Sequence, residues 1–270
     1  IKHSNVTTFI EAAEDSWNVV IGDFEGLYEF SIESKENFWQ SLIDFAGVTA
    51  ETWGAVILEN ADQMPGAVWF PDAKLNYAEN LLRSRDDRDA MVFWGEDQVK
   101  ARVSRKELYD AVSRLAQAMR AAGLVEGDRV GGYMPNMPET IIAMLAAVSI
   151  GAVWSSCSPD FGVQGVLDRF GQVKPKIFIC VDAYLYNGKI FSCLEKNAEI
   201  ISRLPSIENT LLVRYIDDQA SLKEHNSIFT FDEIVNQEIE LELNFESVGF
   251  NDPLYILFSS GTTGVPKCIV

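Results

Sequence analysis

The chain has 270 residues, 47% of them apolar, which suffices for one large domain or two smaller ones with a buried core. Its formal net charge of −18 argues against a nucleic-acid-binding surface, since such a surface needs clustered Lys and Arg. The sequence contains no apolar run of about 18 residues and no signal-peptide pattern, so no membrane span is predicted.

Cysteine and histidine are sparse and scattered in this sequence. They occur at His3, Cys157, Cys180, Cys193, His225 and Cys268, with no C-x-x-C pair and no metal-ligand spacing. We therefore predict no metal site and no disulfide framework, and we interpret each cysteine as a core residue rather than a nucleophile. Such a protein suits a reducing compartment, and we expect the cytoplasm.

Residues 1–85 are predicted to form a helical cap. Up to about residue 47 the sequence indicates an irregular, partly helical segment. Within it Phe38, Leu42 and Phe45 recur at helical spacing and predict a helix over Lys35–Ala46. A loop rich in aromatic residues follows, and a short helix is expected to begin at about Asn76.

Residues 86–270 are predicted to form an α/β domain that begins with a hairpin. Two short strands over residues 90–104 are joined by a turn at Gly95–Gln98. Ser104 and Glu107 have the spacing of a capping box, so a helix is expected to begin there and to end near Gly123.

The next elements alternate between strand and helix. Strands are predicted over residues 129–135, 152–157 and 176–181, with helices from Pro138 to about Ile150 and over residues 162–173 between them. Strands joined by helical crossovers of this length form right-handed βαβ units. The predicted fold class is therefore α/β, with a mostly parallel sheet flanked by helices.

The pattern becomes less regular after residue 182. We predict a helix over residues 190–202, a strand over residues 210–215 and a short helix capped by Thr230. The segment EIELELNFE then alternates strictly, which fits either a half-buried strand or an extended surface segment. The residues that share its apolar face are Ile239, Leu241, Leu243 and Phe245.

The final stretch, LYILFSSGTTGVPKCIV, contains the strongest candidate for a ligand site. Apolar runs at both ends predict two strands, and a phosphate-binding loop needs what lies between them: small residues, hydroxyl donors and a cation. The candidate phosphate-binding residues are Ser259, Ser260, Gly261, Thr262, Thr263, Gly264 and Lys267. The spacing differs from the Walker pattern, and a hairpin loop without a ligand is the alternative interpretation.

The stretch LFSSGTTGVPK also resembles the signature phosphate loop of the adenylate-forming superfamily, which includes acyl-CoA synthetases, luciferases and adenylation domains of peptide synthetases. That family usually has Gly where this chain has Cys268. Upstream, KENFWQSLIDFAGV and FPDAKLNYAENLL resemble the amino-terminal cap of acetyl-CoA-synthetase-like enzymes. The segment GAVWSSCSPDFG, followed by VLDRF, resembles acetoacetyl-CoA synthetases more closely.

The resemblance implies the first part of the AMP-binding domain of a longer ATP-dependent acid–CoA ligase. Such an enzyme joins a carboxylic acid, here expected to be acetoacetate, to CoA through an acyl-adenylate, releasing AMP and pyrophosphate. Residues 259–264 and Lys267 would hold the β- and γ-phosphates of ATP, with Mg²⁺ neutralising further charge. The catalytic residues are expected beyond Val270, in a missing carboxy-terminal part, so the chain alone is expected to be inactive.

Alternative interpretations stay open. One alternative is an acetyl- or propionyl-CoA synthetase, and the other is a non-catalytic module that retains the phosphate loop. Residues 155–159 loosely resemble a segment that lines the pantetheine tunnel of acetyl-CoA synthetase, but a strand end and helix cap explain them as well. They are not among the predicted site residues. Neither nucleic acid nor a membrane is an expected partner.

Overall fold

The computed structural model describes residues 4–96, 98–222, 228–237, 242–259 and 264–270. Within these ranges the helices are α1 (Asn5–Trp17), α2 (Phe24–Glu33), α3 (Lys35–Ala46), α4 (Tyr77–Leu81), α5 (Arg105–Ala121), α6 (Pro138–Ser149), α7 (Val163–Val173), α8 (Leu194–Arg203) and α9 (Phe231–Val235). The strands are β1 (Leu58–Glu59), β2 (Val68–Trp69), β3 (Lys74–Leu75), β4 (Asp89–Gly95), β5 (Val99–Ser104), β6 (Arg129–Tyr133), β7 (Val153–Cys157), β8 (Ile177–Val181), β9 (Ala183–Tyr186), β10 (Lys189–Ser192), β11 (Asn209–Val213), β12 (Ile228–Thr230), β13 (Val248–Gly249), β14 (Tyr255–Ser259) and β15 (Lys267–Ile269). None of the helices in the described part of the chain is long and apolar enough to cross a membrane.

The first compact unit comprises Ile1–Leu75 and Ser247–Asp252. Helices α1 and α2 both pack against α3, and the Phe9 ring lies edge-on to the rings of Phe38 (5.8 Å) and Phe45 (5.4 Å). The side chains of Ser4 and Asp23 cap α1 and α2 by accepting backbone N–H groups. The predicted α3 is confirmed. The segment before it was expected to be irregular and partly helical, and it instead contains two capped helices.

The second unit comprises Asn76–Glu246 and Pro253–Val270, and it contains a seven-stranded sheet in the order β12-β11-β8-β6-β7-β14-β15. Every neighbouring pair is parallel except β14 with β15. The chain passes from β6 to β7 on one side and returns to β8 on the other, a reversal typical of doubly wound sheets. The predicted α/β class with a mostly parallel sheet is confirmed.

Helices cover both faces of this sheet, as the side chains of β8 demonstrate. Ile177, Ile179 and Val181 belong to a core that also contains residues of α5, α6 and α9. Phe178 and Cys180 belong to a second core, which contains residues of α7 and α8. All five side chains are buried, because alternate residues of a central strand point to opposite, helix-covered faces.

Close packing at the centre of the sheet explains the glycine at position 132 of β6. A Cβ on Gly132 would lie 2.7 Å from ring atoms of Trp154 on the neighbouring strand β7. Since real Cβ contacts are essentially never this short, the indole occupies the space that any side chain at residue 132 would need. Because Gly132 has no side chain, the Trp154 ring can lie against the backbone of β6.

Most predicted elements of the second unit are confirmed. Strands β4 and β5 form the predicted hairpin. Ser104 and Glu107 make both hydrogen bonds of a capping box at the start of α5. Helix α4 begins directly after Asn76, whose carboxamide oxygen accepts the N–H groups of Ala78 and Glu79.

The helix predicted over residues 190–202 is wrong at its start. Residues 190–192 lie in β10, which pairs with β9 in an antiparallel hairpin, and α8 begins only at Leu194. Asn187 and Gly188 join these strands with φ angles of 50° and 71°. Asn-Gly is the residue pair that such a tight turn favours, and the prediction of a helix from residue 190 did not use this signal.

Only the second half of the alternating segment, residues 242–246, lies within the described part of the chain. Residues 242–246 form no strand, although Leu243 is buried and its N–H donates to the Tyr109 hydroxyl on α5 at 3.0 Å. The strand alternative is therefore wrong for these residues, and Ile239 and Leu241 lie outside the described residues. Helix α9 follows Thr230 as predicted, but the Thr230 side chain makes no capping hydrogen bond.

Candidate functional site

The candidate phosphate loop joins two antiparallel strands, as predicted. Strand β14 pairs with β15 through Leu257 and Ile269, Phe258 and Cys268, and Ser259 and Lys267. On its other side β14 pairs in parallel with β7 at Tyr255 and Ile256 only. Residues 257–259 therefore pair with β15 and not with β7.

The structure brings Ser259 and Lys267 together. They lie directly opposite each other in the antiparallel pair, so their side chains share one face of the hairpin. Because side chains alternate along a strand, Tyr255 and Leu257 lie on that face too. Gly264 has a φ of 91°, a left-handed conformation that favours glycine. The other predicted site residues, Ser260, Gly261, Thr262 and Thr263, lie outside the described residues.

A cleft of about 500 Å³ opens on this face of β14, beside the carboxyl ends of β6 and β7. Ligands of open α/β sheets bind outside the carboxyl ends of the strands, so the position of the cleft is the expected one. Its lining residues are Met134, Pro135, Asn136, Thr140, Ile141, Met144, Trp154, Ser156, Cys157, Ser158, Tyr255 and Leu257.

Among the described residues that line it, the cleft offers polar groups for binding and no charged nucleophile. Burial raises the pKa of the Cys157 thiol to about 12, so this thiol is neutral at physiological pH. Burial and a hydrogen bond with Tyr77 also raise the pKa of the Tyr255 phenol. The remaining polar groups are neutral hydroxyls and an amide. The arrangement suits binding and orientation of a ligand rather than covalent attack on it.

On the opposite face, α7 contacts both strands of the hairpin. The guanidinium of Arg169 lies 5.6 Å from the Phe258 ring centre on β14 and 4.3 Å from that of Phe161. The side chain of Gln172 donates from Nε2 to the Pro266 carbonyl at 2.9 Å, and the Cys268 sulfur lies 3.8 Å from its Oε1 atom. One helix therefore contacts both strands of the hairpin.

The loop after β7 is held by residues from two other elements. The Tyr133 hydroxyl at the end of β6 lies 2.8 Å from the Pro159 carbonyl oxygen and 2.6 Å from that of Phe161. The ammonium group of Lys196 on α8 also donates to the Pro159 carbonyl, at 2.9 Å. These contacts fix residues 158–162 at the carboxyl edge of the sheet, next to the cleft.

The four cysteines are free thiols. Cys157, Cys180 and Cys193 are buried, and burial raises the pKa of each, in agreement with the predicted core roles. Cys268 lies in β15, as expected from the pattern, but it is exposed rather than buried. Within the described ranges no group of three or more His, Cys, Asp or Glu residues is arranged to hold a metal ion.

Sequence reasoning found the hairpin but missed the cleft beside it. Thr140 and Met144 fall in a predicted helix and Tyr255 in a predicted apolar strand, while Asn136 lies between the predicted strand over residues 129–135 and the helix that begins at Pro138. A usable signal existed, since residues that follow a parallel strand meet at one edge of the sheet. That signal does not say which strand ends are left uncovered, and this required the strand order.

Comparison with known proteins identifies the family to which the chain belongs. The family model described as AMP-binding enzyme matches residues 78–270, and that described as acetyl-coenzyme A synthetase N-terminus matches residues 24–81. The chain belongs to the AMP-binding enzyme family.

Individual relatives agree with this assignment. The chain is 45% identical to the acetoacetyl-coenzyme A synthetase of Rhizobium meliloti (strain 1021), over 100% of this chain and 41% of the relative. It is 33% identical to a malonamoyl-CoA synthetase of Penicillium aethiopicum, over 100% of this chain and 39% of the relative. The structure of acetoacetyl-CoA synthetase from Streptomyces lividans superposes with a TM-score of 0.92 at 36% identity, over 99% of this chain and 41% of that one. The predicted resemblance to acetoacetyl-CoA synthetases is confirmed, and the chain spans about 41% of their length.

Proposed function

We propose that the chain is the amino-terminal part of an ATP-dependent acid–CoA ligase whose acid is acetoacetate. The observation that carries this proposal is the pairing of Ser259 with Lys267 on the cleft side of an apolar hairpin. A hydroxyl and an ammonium group on one face, next to a glycine-rich loop, are donors that phosphate oxygens require. The match of the whole chain to acetoacetyl-CoA synthetases supports the same reaction.

In the proposed reaction the carboxylate of the acid attacks the α-phosphorus of ATP, which forms an acyl-adenylate and releases pyrophosphate. The CoA thiol then attacks the acyl carbon and releases AMP. Ser259 and Lys267, with residues 260–264, would bind the β- and γ-phosphates. Negative charge grows on these oxygens as pyrophosphate leaves, so Lys267 would stabilise the transition state more than the bound ATP. Mg²⁺, when bound with ATP, supplies further charge neutralisation, and we assign it no ligand among the described residues.

The choice of acetoacetate rests on the chemistry of two relatives' substrates. Acetoacetyl and malonamoyl groups both carry a carbonyl at the third carbon and differ only in a terminal methyl or amino group. A small acid with such a carbonyl is therefore the proposed substrate class, and acetate lacks this group. The match of residues 24–81 to the acetyl-coenzyme A synthetase N-terminus favours the alternative, an acetyl- or propionyl-CoA synthetase.

A competition assay on the whole protein separates these substrates. With equal concentrations of acetate and acetoacetate, plus ATP, Mg²⁺ and CoA, we expect acetoacetyl-CoA to be the main product. A higher kcat/KM for acetate would overturn the choice of acid and leave the ligase reaction standing.

The phosphate role of Lys267 is tested by Lys267→Ala in the whole protein. We expect adenylate formation, measured by pyrophosphate exchange, to slow roughly 10- to 150-fold, since one charge-assisted contact contributes about 1.5–3 kcal/mol. Thioester formation from preformed adenylate should be unchanged, because the β- and γ-phosphates have left by then. Lys106→Ala, an exposed lysine on α5, is the matched control. Equal slowing of both half-reactions would contradict the proposed role.

We also propose that the 270 residues alone make no acyl-CoA, because the relatives are more than twice as long. Turnover of about 1 per second or more by the isolated chain would contradict this. The same proposal divides the chain into a cap over residues 1–85 and the first part of the AMP-binding domain over residues 86–270. It also places the protein in the cytoplasm. If the natural protein instead ends at Val270, as its measured mass would reveal, a non-catalytic module that retains the phosphate loop becomes the better proposal.

A further inference from the structure

We propose that Gln172 on α7 is a positioning residue for Lys267, an inference that rests on the phosphate role proposed for that lysine. The hydrogen bonds that Gln172 makes with the hairpin involve neither Ser259 nor Lys267. Gln172 contacts instead the residues immediately before and after Lys267, which are Pro266 and Cys268. The strand that carries the lysine is therefore held on both sides of it.

The two contacts use both ends of the Gln172 carboxamide. Its Nε2 atom donates to the Pro266 carbonyl at 2.9 Å, and its Oε1 atom accepts a weak hydrogen bond from the Cys268 thiol at 3.8 Å. Pro266 has no backbone N–H, so its carbonyl is the backbone hydrogen-bonding group that this residue offers. Holding that carbonyl fixes the peptide plane that leads into Lys267.

The alternation of side chains explains why this contact acts on Lys267 without blocking it. Cys268 points to the α7 face, since it pairs with Phe258, which packs in the core shared with α7. Lys267 then points to the opposite face, toward the cleft, as Ser259 does. The side chain of Gln172 thus orients the lysine from behind the hairpin and leaves the ammonium group free for phosphate.

Arg169 strengthens this interpretation, because it lies three residues before Gln172 and hence on the same face of α7. Its guanidinium contacts Phe258 on β14 while Gln172 contacts β15. The strand pair that bears Ser259 and Lys267 therefore contacts one helix at two points. The thiol contact also gives Cys268 a role in the position of the strand.

The test is Gln172→Ala in the whole protein, assayed for pyrophosphate exchange and for thioester formation from preformed adenylate. Loss of a neutral hydrogen bond should slow adenylate formation about 2- to 10-fold and leave the second half-reaction unchanged. Gln164→Ala is the matched control, since Gln164 lies on the same helix and contacts Asp168 and Arg203 instead of the hairpin. It should leave both half-reactions within about 2-fold of the parent.

A second comparison isolates the action through Lys267. In a Lys267→Ala background, Gln172→Ala should slow adenylate formation by less than about 2-fold further, since there is no ammonium left to position. Cys268→Ser, which keeps a donor to Oε1, should retain the parent rate, whereas Cys268→Gly should lose part of it. The Tm of each variant reports whether the fold is intact.

The outcomes separate this inference from the function on which it rests. If Lys267→Ala slows adenylate formation and Gln172→Ala does not, the positioning role alone is wrong. If Gln172→Ala slows both half-reactions equally, or by the same factor with and without Lys267, the residue is only structural and the inference is overturned. If Lys267→Ala has no effect, the proposed phosphate role and the positioning role both fail.

Discussion

Two apolar strands of one sheet, β8 and β14, have similar sequences and different surroundings. The residues IFICV of β8 are all buried between β6 and β11, under helices on both faces. The residues YILFS of β14 share two residue pairs with β7, and each is half-buried or exposed. Ile179 is 0% exposed and Leu257 is 57% exposed. Within this chain, which spans about 41% of its relatives' length, β14 is therefore an exposed apolar surface that a ligand or a further segment can cover, and it leads into the phosphate-loop candidate.

The largest expected effect on stability tests the difference in burial between β8 and β14 directly. Ile179→Ala should lower the free energy of unfolding by about 2–5 kcal/mol, because it leaves a cavity in a fully packed core. Leu257→Ala should change it by less than about 1 kcal/mol, because water already reaches that side chain. Denaturant unfolding of the two variants measures both values. Equal losses would mean that β14 is as much a part of the core as β8.

A second prediction concerns β6, the strand between β8 and β7. Gly132→Ala should destabilise the protein by about 1–3 kcal/mol, because the new methyl group meets the Trp154 ring, and the displaced ring should narrow the cleft. The same substitution at Gly171 of α7, which has open space around it, should stabilise the protein by about 0.5–1 kcal/mol. Thermal unfolding of the pair measures this contrast. A stabilising Gly132→Ala would contradict the packing described for Trp154.

The smallest expected effect concerns the burial of the Glu139 carboxyl group beneath the covered part of the sheet. Glu139, in the first turn of α6, has a buried Oε2 atom with no hydrogen-bond partner in the described part of the chain. Burial, and to a lesser degree the charge of Asp232, raise the pKa of this carboxyl. The folded state therefore holds the proton more tightly than the unfolded state. Stability from this group is complete below the unfolded value of 4.5 and is lost as the pH rises through the folded pKa.

Glu139→Gln should accordingly raise stability at pH 7 by on the order of 1 kcal/mol and have no effect below about pH 4. Glu107→Gln is the control, because the pKa of Glu107 is shifted in the opposite direction. Hydrogen bonds from Ser104 lower the pKa of Glu107, so its contribution is present above 4.5 and is lost as the pH falls through the folded pKa. Unfolding free energies between pH 3 and pH 8 would measure both. A pH-independent difference for Glu139→Gln would contradict the burial of its carboxylate.

Local signals in the sequence were sufficient to predict elements whose structure depends on a few neighbouring residues. Ser104 with Glu107 predicted the start of α5, and the turn residues Gly95–Gln98 predicted the hairpin of β4 and β5. The same logic failed at Asn187 and Gly188, where a turn signal competed with apolar residues at helical spacing. Two local signals pointed to different structures there, and pairing between β9 and β10 decided the outcome.

By itself the sequence determined the α/β class, the alternation of strands and helices from β4 to β8 and the hairpin that presents Ser259 and Lys267, because periodicity and loop chemistry are local properties. Only the tertiary structure decided that β8 is covered and β14 is not, since that depends on which strands become neighbours. It also decided that Trp154 lies over Gly132 and that Gln172 holds the residues on both sides of Lys267. Contacts between residues far apart in the chain follow from the strand order, and no local pattern encodes them.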